Sequence, residues 1–244
     1  MNWIESPGYT LSRTIGGRMT AVKIWLLLIS FTINSTIFAF KIVIDPGHGG
    51  RFEGCKSCSG NLLEKDVALK IAQCVKEILQ KKQIIVVLTR TVDSDFVPKD
   101  TPEEEELAKD LENRVNFIER QKPDALISIH LNSTTNKAVR GFEIYVPFSV
   151  HYPSQSYKLA SYIHHALSQN TEQQWAGTIG NLNTRDRGIR AANFTVLRNH
   201  TFPAVLIELD YLTNKIVEQN YQSPAYCQKI ATIIADAVLS YVNA

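Results

Sequence analysis

Residues 42–50 read Ile42-Val43-Ile44-Asp45-Pro46-Gly47-His48-Gly49-Gly50 and lead from a strand into a turn. Three consecutive apolar residues at the start of this segment are typical of a strand that is buried on both faces. The glycines that follow let the backbone turn sharply and leave room for a substrate. His48 is therefore predicted to lie just beyond the carboxyl end of a buried strand, where open α/β sheets bind their ligands.

Further apolar segments of strand length lie at residues 84–89, 125–131, 141–146, 194–197 and 204–209. Segments with helical periodicity lie among them, at residues 66–82, from 102 to 118, at 154–170 and at 224–242. This alternation favours an α/β fold: a single domain with a mostly parallel twisted sheet of about six strands and helices on both faces. The polar segment 169–190 is predicted to be a surface loop near the functional site.

The N-terminal segment has the composition of a targeting sequence. Basic residues precede an uncharged run at 24–40, which predicts a signal peptide or, as the alternative, an N-terminal membrane anchor that associates the protein transiently with the membrane. Met1 and Met19 are both candidate starts. Residues 41–244, about 200 in number, are predicted to form one catalytic domain in the periplasm or cell envelope.

The charge of the chain argues against one class of partner. Its formal net charge is +2, and no basic stripe is interleaved with aromatic residues. Nucleic acid is therefore not an expected partner. We expect the protein to be a monomer.

Three side chains form a candidate metal site. Glu64 follows the His48 turn, and a second buried strand delivers His130. Two imidazoles and one carboxylate suit a zinc ion (Zn²⁺) that keeps a fourth position open for water. A single histidine would more often be structural, but the combination at strand ends favours a metal. Asp45 is predicted to orient His48 through its second ring nitrogen, and Asn132 is a candidate for a similar part beside His130.

Glu208 interrupts the apolar segment 204–209. One interpretation is a buried carboxylate paired with an arginine or lysine. The other is a general base, which takes a proton from a zinc-activated water and delivers it to a leaving nitrogen. Burial would raise the pKa of Glu208, whereas a nearby metal would lower it. A metal with a neighbouring base indicates hydrolysis.

The four cysteines are consistent with export. Cys55 and Cys58 lie three residues apart in the loop between His48 and Glu64, which predicts a local disulfide in an oxidising compartment. Cys74 and Cys227 fall on the apolar faces of predicted helices and are expected in the core.

The chain resembles the zinc-dependent N-acetylmuramoyl-L-alanine amidases of the AmiA/AmiB/AmiC type. The resemblance runs from residue 41 to the C-terminus and rests on ordered blocks, among them 42–50, Glu64-Lys65-Asp66, Ser128-Ile129-His130-Leu131-Asn132, Gly141-Phe142-Glu143 and 203–208. It implies cleavage of the amide between N-acetylmuramic acid and the L-alanine of the stem peptide in peptidoglycan, for cell-wall remodelling and daughter-cell separation. It also implies zinc ligands at His48, Glu64 and His130 and a catalytic glutamate at Glu208. Asn132 and Arg190 are the candidate substrate-binding residues.

Two alternatives use the same sequence features. A zinc-dependent peptidase or deacetylase of the cell envelope could hold its metal with the same ligands. A catalytically inactive peptidoglycan-binding protein should have lost a ligand or the glutamate. Because this chain retains all four side chains, an active amidase is the favoured prediction.

Overall fold

The computed structural model describes residues 39–148, 153–171 and 186–244. The predicted signal peptide or anchor at 1–40 lies outside the described residues, apart from 39 and 40. None of the described helices is long and apolar enough to span a bilayer.

One six-stranded sheet forms the centre of the domain. Its strands are β1 (Lys41–Pro46), β2 (Ile85–Leu88), β3 (Ala125–Asn132), β4 (Phe142–Pro147), β5 (Asp186–Ala192) and β6 (Ala204–Tyr211), in the order β2-β1-β3-β6-β4-β5. The first four strands of that order are parallel to one another. β4 runs antiparallel to β6, and β5 pairs parallel with β4. The prediction of a mostly parallel sheet is confirmed.

Helices cover both faces of the sheet. They are α1 (Glu64–Gln80), α2 (Glu106–Gln121), α3 (Pro153–Thr171), α4 (Lys215–Gln222) and α5 (Pro224–Val242). Alternate residues of β1 explain the two layers: Ile42 and Ile44 belong to the core with α1, α3, α4 and α5, whereas Val43 packs in a smaller core with Ile118 of α2. A strand with apolar side chains on both faces can be buried only between two layers of helices.

The structure differs from the prediction in two segments, the strand predicted at 194–197 and the loop predicted at 169–190. Residues 194–197 form a 3₁₀ turn (Thr195–Leu197) whose Val196 and Leu197 pack in the smaller core, so their apolar character reflects burial in a turn. The fifth strand is instead β5, whose residues 186–190 were predicted as part of the loop 169–190; residues 172–185 of that loop lie outside the described residues. β5 lies at the edge of the sheet, where charged residues are tolerated and hide the strand pattern. The short helix α4 was also missed; the Asn214 side chain caps it by accepting from the backbone N–H groups of Ile216 and Val217.

The topology brings three candidate residues to one edge of the sheet. His48 follows β1, His130 lies near the end of β3, and Glu208 lies in β6 directly opposite His130. Because β1, β3 and β6 are parallel neighbours, their carboxyl ends form one rim, at which α/β proteins place their ligands.

Candidate active site

His48, Glu64 and His130 converge on one point. Their ligand atoms all lie within 4.8 Å of one another. Glu64 Oε1 is 3.1 Å from His48 Nε2 and 3.0 Å from His130 Nδ1. The two imidazole rings are 4.9 Å apart between centroids and nearly perpendicular. The structure therefore brings together the three residues that the sequence predicted as metal ligands.

Glu64 is held in place and in its charged form. The backbone N–H of Cys55 donates to Glu64 Oε2 at 2.8 Å, and that of Leu131 donates to Oε1 at 3.1 Å. Burial would raise the pKa of Glu64, but hydrogen bonds with His130 and His48 outweigh it and hold the pKa well below its usual value. A carboxylate that stays ionised is ready to bind a cation.

Two glycines leave the space that these side chains occupy. A Cβ at Gly47 would lie 2.3 Å from His130 Cε1. A Cβ at Gly54, whose φ is +70°, would lie 2.5 Å from Glu64 Oε2 and 2.7 Å from His48 Cδ2. Gly54 was not singled out in the sequence. Two imidazoles and a carboxylate are a ligand set that zinc takes in hydrolytic sites, so the residues present fit a zinc ion.

Glu208 faces the same groove from β6. Its Oε2 is buried and has no hydrogen-bond partner among the residues that the structure describes. Burial, together with the negative charges of Glu64 and Glu143, raises the pKa of Glu208 to about 8. Within the described residues no lysine or arginine forms an ion pair with it, which disfavours the interpretation as a paired structural carboxylate.

A groove of about 450 Å³ contains all four side chains. Leu107 and Leu111 of α2 and residues 193–196, including Phe194, also line it. Leu107 and Phe194 are both exposed, and the Phe194 ring packs edge-on against Tyr145 at 5.1 Å. The groove therefore combines exposed apolar side chains with the polar candidate residues.

Asp45 does not contact the His48 ring as predicted. Its carboxylate accepts hydrogen bonds from Thr89 Oγ1 at 2.6 Å, Ser128 Oγ at 2.8 Å and Arg114 Nη1 at 2.9 Å. These donors use both carboxylate oxygens, and the link to His48 passes instead through Arg114, whose Nη2 donates to the His48 carbonyl at 3.0 Å.

The two candidate substrate-binding residues meet at a carboxylate that the sequence did not single out. Asn132 lines the groove, and its Nδ2 donates to Glu143 Oε1 at 2.7 Å. Arg190 lies on β5 with half of its side chain exposed, and its Nε is 3.4 Å from Glu143 Oε2. Glu143 is only 2% exposed and is directly opposite Glu208 in the antiparallel pairing of β4 and β6. The sequence offered Glu143 only as part of the block 141–143 that supports the resemblance, and the pairing of β4 with β6 shows its position opposite Glu208.

The predicted disulfide is not formed, since all four cysteines are free thiols. The Cys55 Sγ lies against the carbonyl of Leu131 at 3.5 Å. Ser57, between the two cysteines, donates to Glu218 of α4 at 2.6 Å, and Cys58 is exposed. The loop therefore directs the two thiols to different surroundings.

Comparison with known proteins agrees with this geometry. The profile of the N-acetylmuramoyl-L-alanine amidase family matches residues 42–240. A germination-specific N-acetylmuramoyl-L-alanine amidase of Bacillus subtilis is 33% identical over 203 residues, which cover 82% of this chain and 78% of that protein. The amidase LytC of the same organism is 31% identical over 209 residues, or 86% of this chain but 37% of that longer protein.

A solved structure supports the same family assignment. The amidase AmiC2 of Nostoc punctiforme superposes with a TM-score of 0.68 at 33% identity, covering 84% of this chain and 98% of that one. A family profile that spans nearly the whole described domain agrees with relatives and a fold of the same kind. The chain therefore belongs to the N-acetylmuramoyl-L-alanine amidases, the enzymes that hydrolyse the amide between glycan and peptide in peptidoglycan.

Proposed function

We propose that this amidase binds Zn²⁺ through His48, Glu64 and His130 and uses Glu208 as its general base. The observation that carries the proposal is the convergence of the three donor atoms within 4.8 Å, in one groove with a buried carboxylate oxygen that has no hydrogen-bond partner in the described part of the chain. A buried, unpaired carboxylate beside a possible cation site is costly unless it has a function.

The chemistry divides between the metal and the chain. When bound, zinc supplies a water of lowered pKa and an electrophile for the amide carbonyl. With the ion bound, Glu208 would accept a proton from water at Oε2 and would then give it to the nitrogen of the leaving L-alanine. The raised pKa of Glu208 suits the second role, because a carboxyl that holds its proton near neutral pH can serve as an acid. A bound cation would lower that pKa and so favour the base form before the attack.

Asn132 and Arg190 bind the substrate in this proposal. Glu143 fixes the Asn132 amide at the edge of the groove, and a fixed polar group can position a substrate at little entropic cost. The exposed Arg190 guanidinium is suited to a carboxylate of the stem peptide. Asp45 supports the site indirectly, because it accepts a hydrogen bond from Arg114, which in turn donates to the His48 carbonyl.

We place the protein outside the cytoplasm, in the periplasm or cell envelope, as a monomer that remodels the cell wall and helps to separate daughter cells. The support is its family, whose substrate lies there, and the composition of residues 1–40. Cell fractionation with N-terminal sequencing of the mature protein tests this placement and shows whether the leader is removed or retained. Failure of the chain to leave the cytoplasm would reject it.

Mass spectrometry of the products from defined muropeptides tests the activity. We expect intact stem peptides with a free L-alanine amino group and a glycan that is freed of peptide but uncut. Release of the stem peptide should stop after treatment with a chelator and return with added zinc. Cleavage within the stem peptide would indicate a peptidase, release of acetate a deacetylase, and the absence of any product a binding protein. Full activity after complete removal of metal would overturn the zinc mechanism.

A further inference from the structure

Three consecutive carbonyls of the His48 turn are bound by buried arginines. The carbonyls of Pro46, Gly47 and His48 all accept hydrogen bonds from Arg90 or Arg114. Arg90 is 4% exposed and Arg114 is 2% exposed. Neither guanidinium contacts a side chain of the proposed zinc ligands, so both act on the backbone that carries them.

Arg90 connects the two segments from which ligands come. Its Nη2 donates to the carbonyl of Gly47 at 2.9 Å and to the carbonyl of Lys65 at 2.7 Å, while its Nε donates to Pro46 at 3.2 Å. Gly47 precedes His48, and Lys65 follows Glu64. One planar guanidinium therefore fixes the distance between the backbone of the His48 turn and the first turn of α1.

Arg114 fixes the turn from the side of α2. Its Nη2 donates to the His48 carbonyl at 3.0 Å, and its Nη1 donates to Asp45 at 2.9 Å. Asp110, one helical turn earlier, holds the same guanidinium through Nη2 at 3.1 Å. With a carboxylate on either side, the guanidinium has a single orientation toward the turn.

The backbone of His48 needs such support. Its φ is +61°, in the left-handed region that residues other than glycine seldom adopt. A strained conformation persists only where the surrounding contacts determine it. Arg114 supplies one such contact at the carbonyl of this residue.

Burial of Arg90 is difficult to explain by stability alone. In the part of the chain that the structure describes, no carboxylate lies within ion-pair distance of Arg90, and burial lowers its pKa, as does the nearby positive charge of Arg114. An apolar side chain of similar volume commonly stabilises a core at least as well as a buried charge. An apolar side chain could not bind four carbonyls at once, as Arg90 does with those of Pro46, Gly47, Lys65 and Val92.

We infer that Arg90 and Arg114 are positioning residues that preset the His48 imidazole and the Glu64 carboxylate for zinc, acting through main-chain carbonyls. The inference rests on the proposed zinc site. It assigns these arginines to metal affinity, with no direct part in substrate binding or proton transfer.

The test compares Arg90→Lys and Arg114→Lys with the wild type. Lysine keeps the charge but lacks the planar fork that spans two carbonyls. Loss of outer contacts of this kind weakens metal binding by about 10- to 100-fold. We expect a rise of that size in the zinc dissociation constant, measured by competition with a chromophoric chelator. We also expect an altered visible spectrum of the cobalt-substituted protein, an unchanged KM, and a kcat that excess zinc restores in part.

Arg51→Lys is the matched control, because Arg51 lies in the same loop but pairs with the side chains of Asp95 and Glu106 and is partly exposed. It should bind zinc as the wild type does. If Arg114→Lys does not fold, Asp110→Asn frees the guanidinium on one side and should still weaken zinc binding. Wild-type zinc affinity in variants that fold would overturn the inference, whereas a wild-type protein that binds no zinc would overturn the proposed function itself.

Discussion

The two halves of the sheet differ in burial and in the groups that they contribute. The parallel half, β2-β1-β3-β6, carries runs of buried residues and provides His48, His130 and Glu208. In the other half, none of the seven residues of β5 is buried, and its charged side chains reach Glu143 and His164. The proposed chemistry thus lies on the parallel half, together with Asn132, whereas the proposed substrate contact of Arg190 lies on the exposed edge strand β5.

The boundary between the halves is the antiparallel pairing of β6 with β4. Glu208 and Glu143 lie directly opposite each other across it. Like charges in such positions repel, and Glu143 contributes to the raised pKa of Glu208. Glu143 accepts hydrogen bonds from Asn132 and Tyr211 and forms an ion pair with Arg190, and these contacts offset the repulsion. This difference predicts large effects on catalysis from changes in the parallel half and modest effects on binding from changes in the edge half.

The largest effect is expected for His130→Ala. Two ligands do not hold zinc as three do, so both the bound metal and the amidase activity should be lost. Metal analysis of the purified protein and turnover of a muropeptide measure the two losses. His165→Ala, at an exposed histidine of α3, is the control and should change neither. Equal zinc content in His130→Ala and wild type would contradict the assignment.

Glu208→Gln should lower kcat by about 10²- to 10⁴-fold with the zinc content unchanged, because glutamine has the same shape but accepts no proton. In the wild type, activity should fall as the pH drops through the pKa of Glu208, since the protonated form cannot act as a base. The variant should lack that limb of the pH profile. Glu103→Gln, an exposed carboxylate before α2, is the control. Retention of full turnover in Glu208→Gln would remove Glu208 from the mechanism.

Asp45→Asn removes the charge of a buried carboxylate in the parallel half. Its effect on stability can be compared with that of Asp186→Asn, which changes an exposed carboxylate in the other half. Burial opposes ionisation of Asp45, but Arg114, Thr89 and Ser128 hold its pKa below the ordinary value of an aspartate. Its stabilising contribution is therefore present above about pH 4 and is lost as the pH falls through the lowered pKa. We expect the free energy of unfolding at pH 7 to fall by about 2 kcal/mol, and the variant and wild type to converge at low pH.

The matched change in the edge half is Asp186→Asn. Asp186 is partly exposed and bonds His164 and Ser168. Its removal should cost less than about 1 kcal/mol, because solvent screens an exposed pair. Urea denaturation at pH 7 and pH 3 measures both variants. A larger loss from Asp186→Asn than from Asp45→Asn would reverse the comparison between the two halves.

The smallest effect on activity is expected for Arg190→Ala. Loss of one exposed charge–carboxylate contact, worth about 1 kcal/mol, should raise KM about fivefold and leave kcat and zinc content unchanged. Steady-state kinetics on an anionic muropeptide measure it. Arg120→Ala, in the last turn of α2, serves as the control. A fall in kcat at constant KM would place Arg190 in the chemistry instead.

Sequence patterns were sufficient to predict the strands of the parallel half of the sheet. The fold class, the enzyme family and the amidase activity are confirmed. Apolar runs such as 125–131 report burial on both faces, and a charged or imidazole side chain inside or just after such a run is conspicuous. The roles of His48, Glu64, His130 and Glu208 remain predictions, although the structure brings the four together.

Local sequence patterns could not predict the edge strand β5, nor the side-chain contacts between residues that are distant in the sequence. β5 carries charged residues in place of an alternating pattern, because it is an edge strand of which no residue is buried. Glu143 depends on which strands pair, and the partners of Asp45 come from residues 44 to 83 positions away. Such long-range contacts have no local signature in a single sequence.

The crowding around Gly54 has a consequence for engineering. In the loop of residues 51–60, residues 58–60 are exposed and accessible for tags or altered surface properties, and a Cβ at Gly60 would meet nothing within 4 Å. At Gly54 even one methyl group would strike both a histidine and the acid of the candidate metal centre. A randomised library of this loop, selected for lytic colonies, should therefore return glycine at position 54 almost without exception, while asparagine and other turn-forming residues survive at position 60.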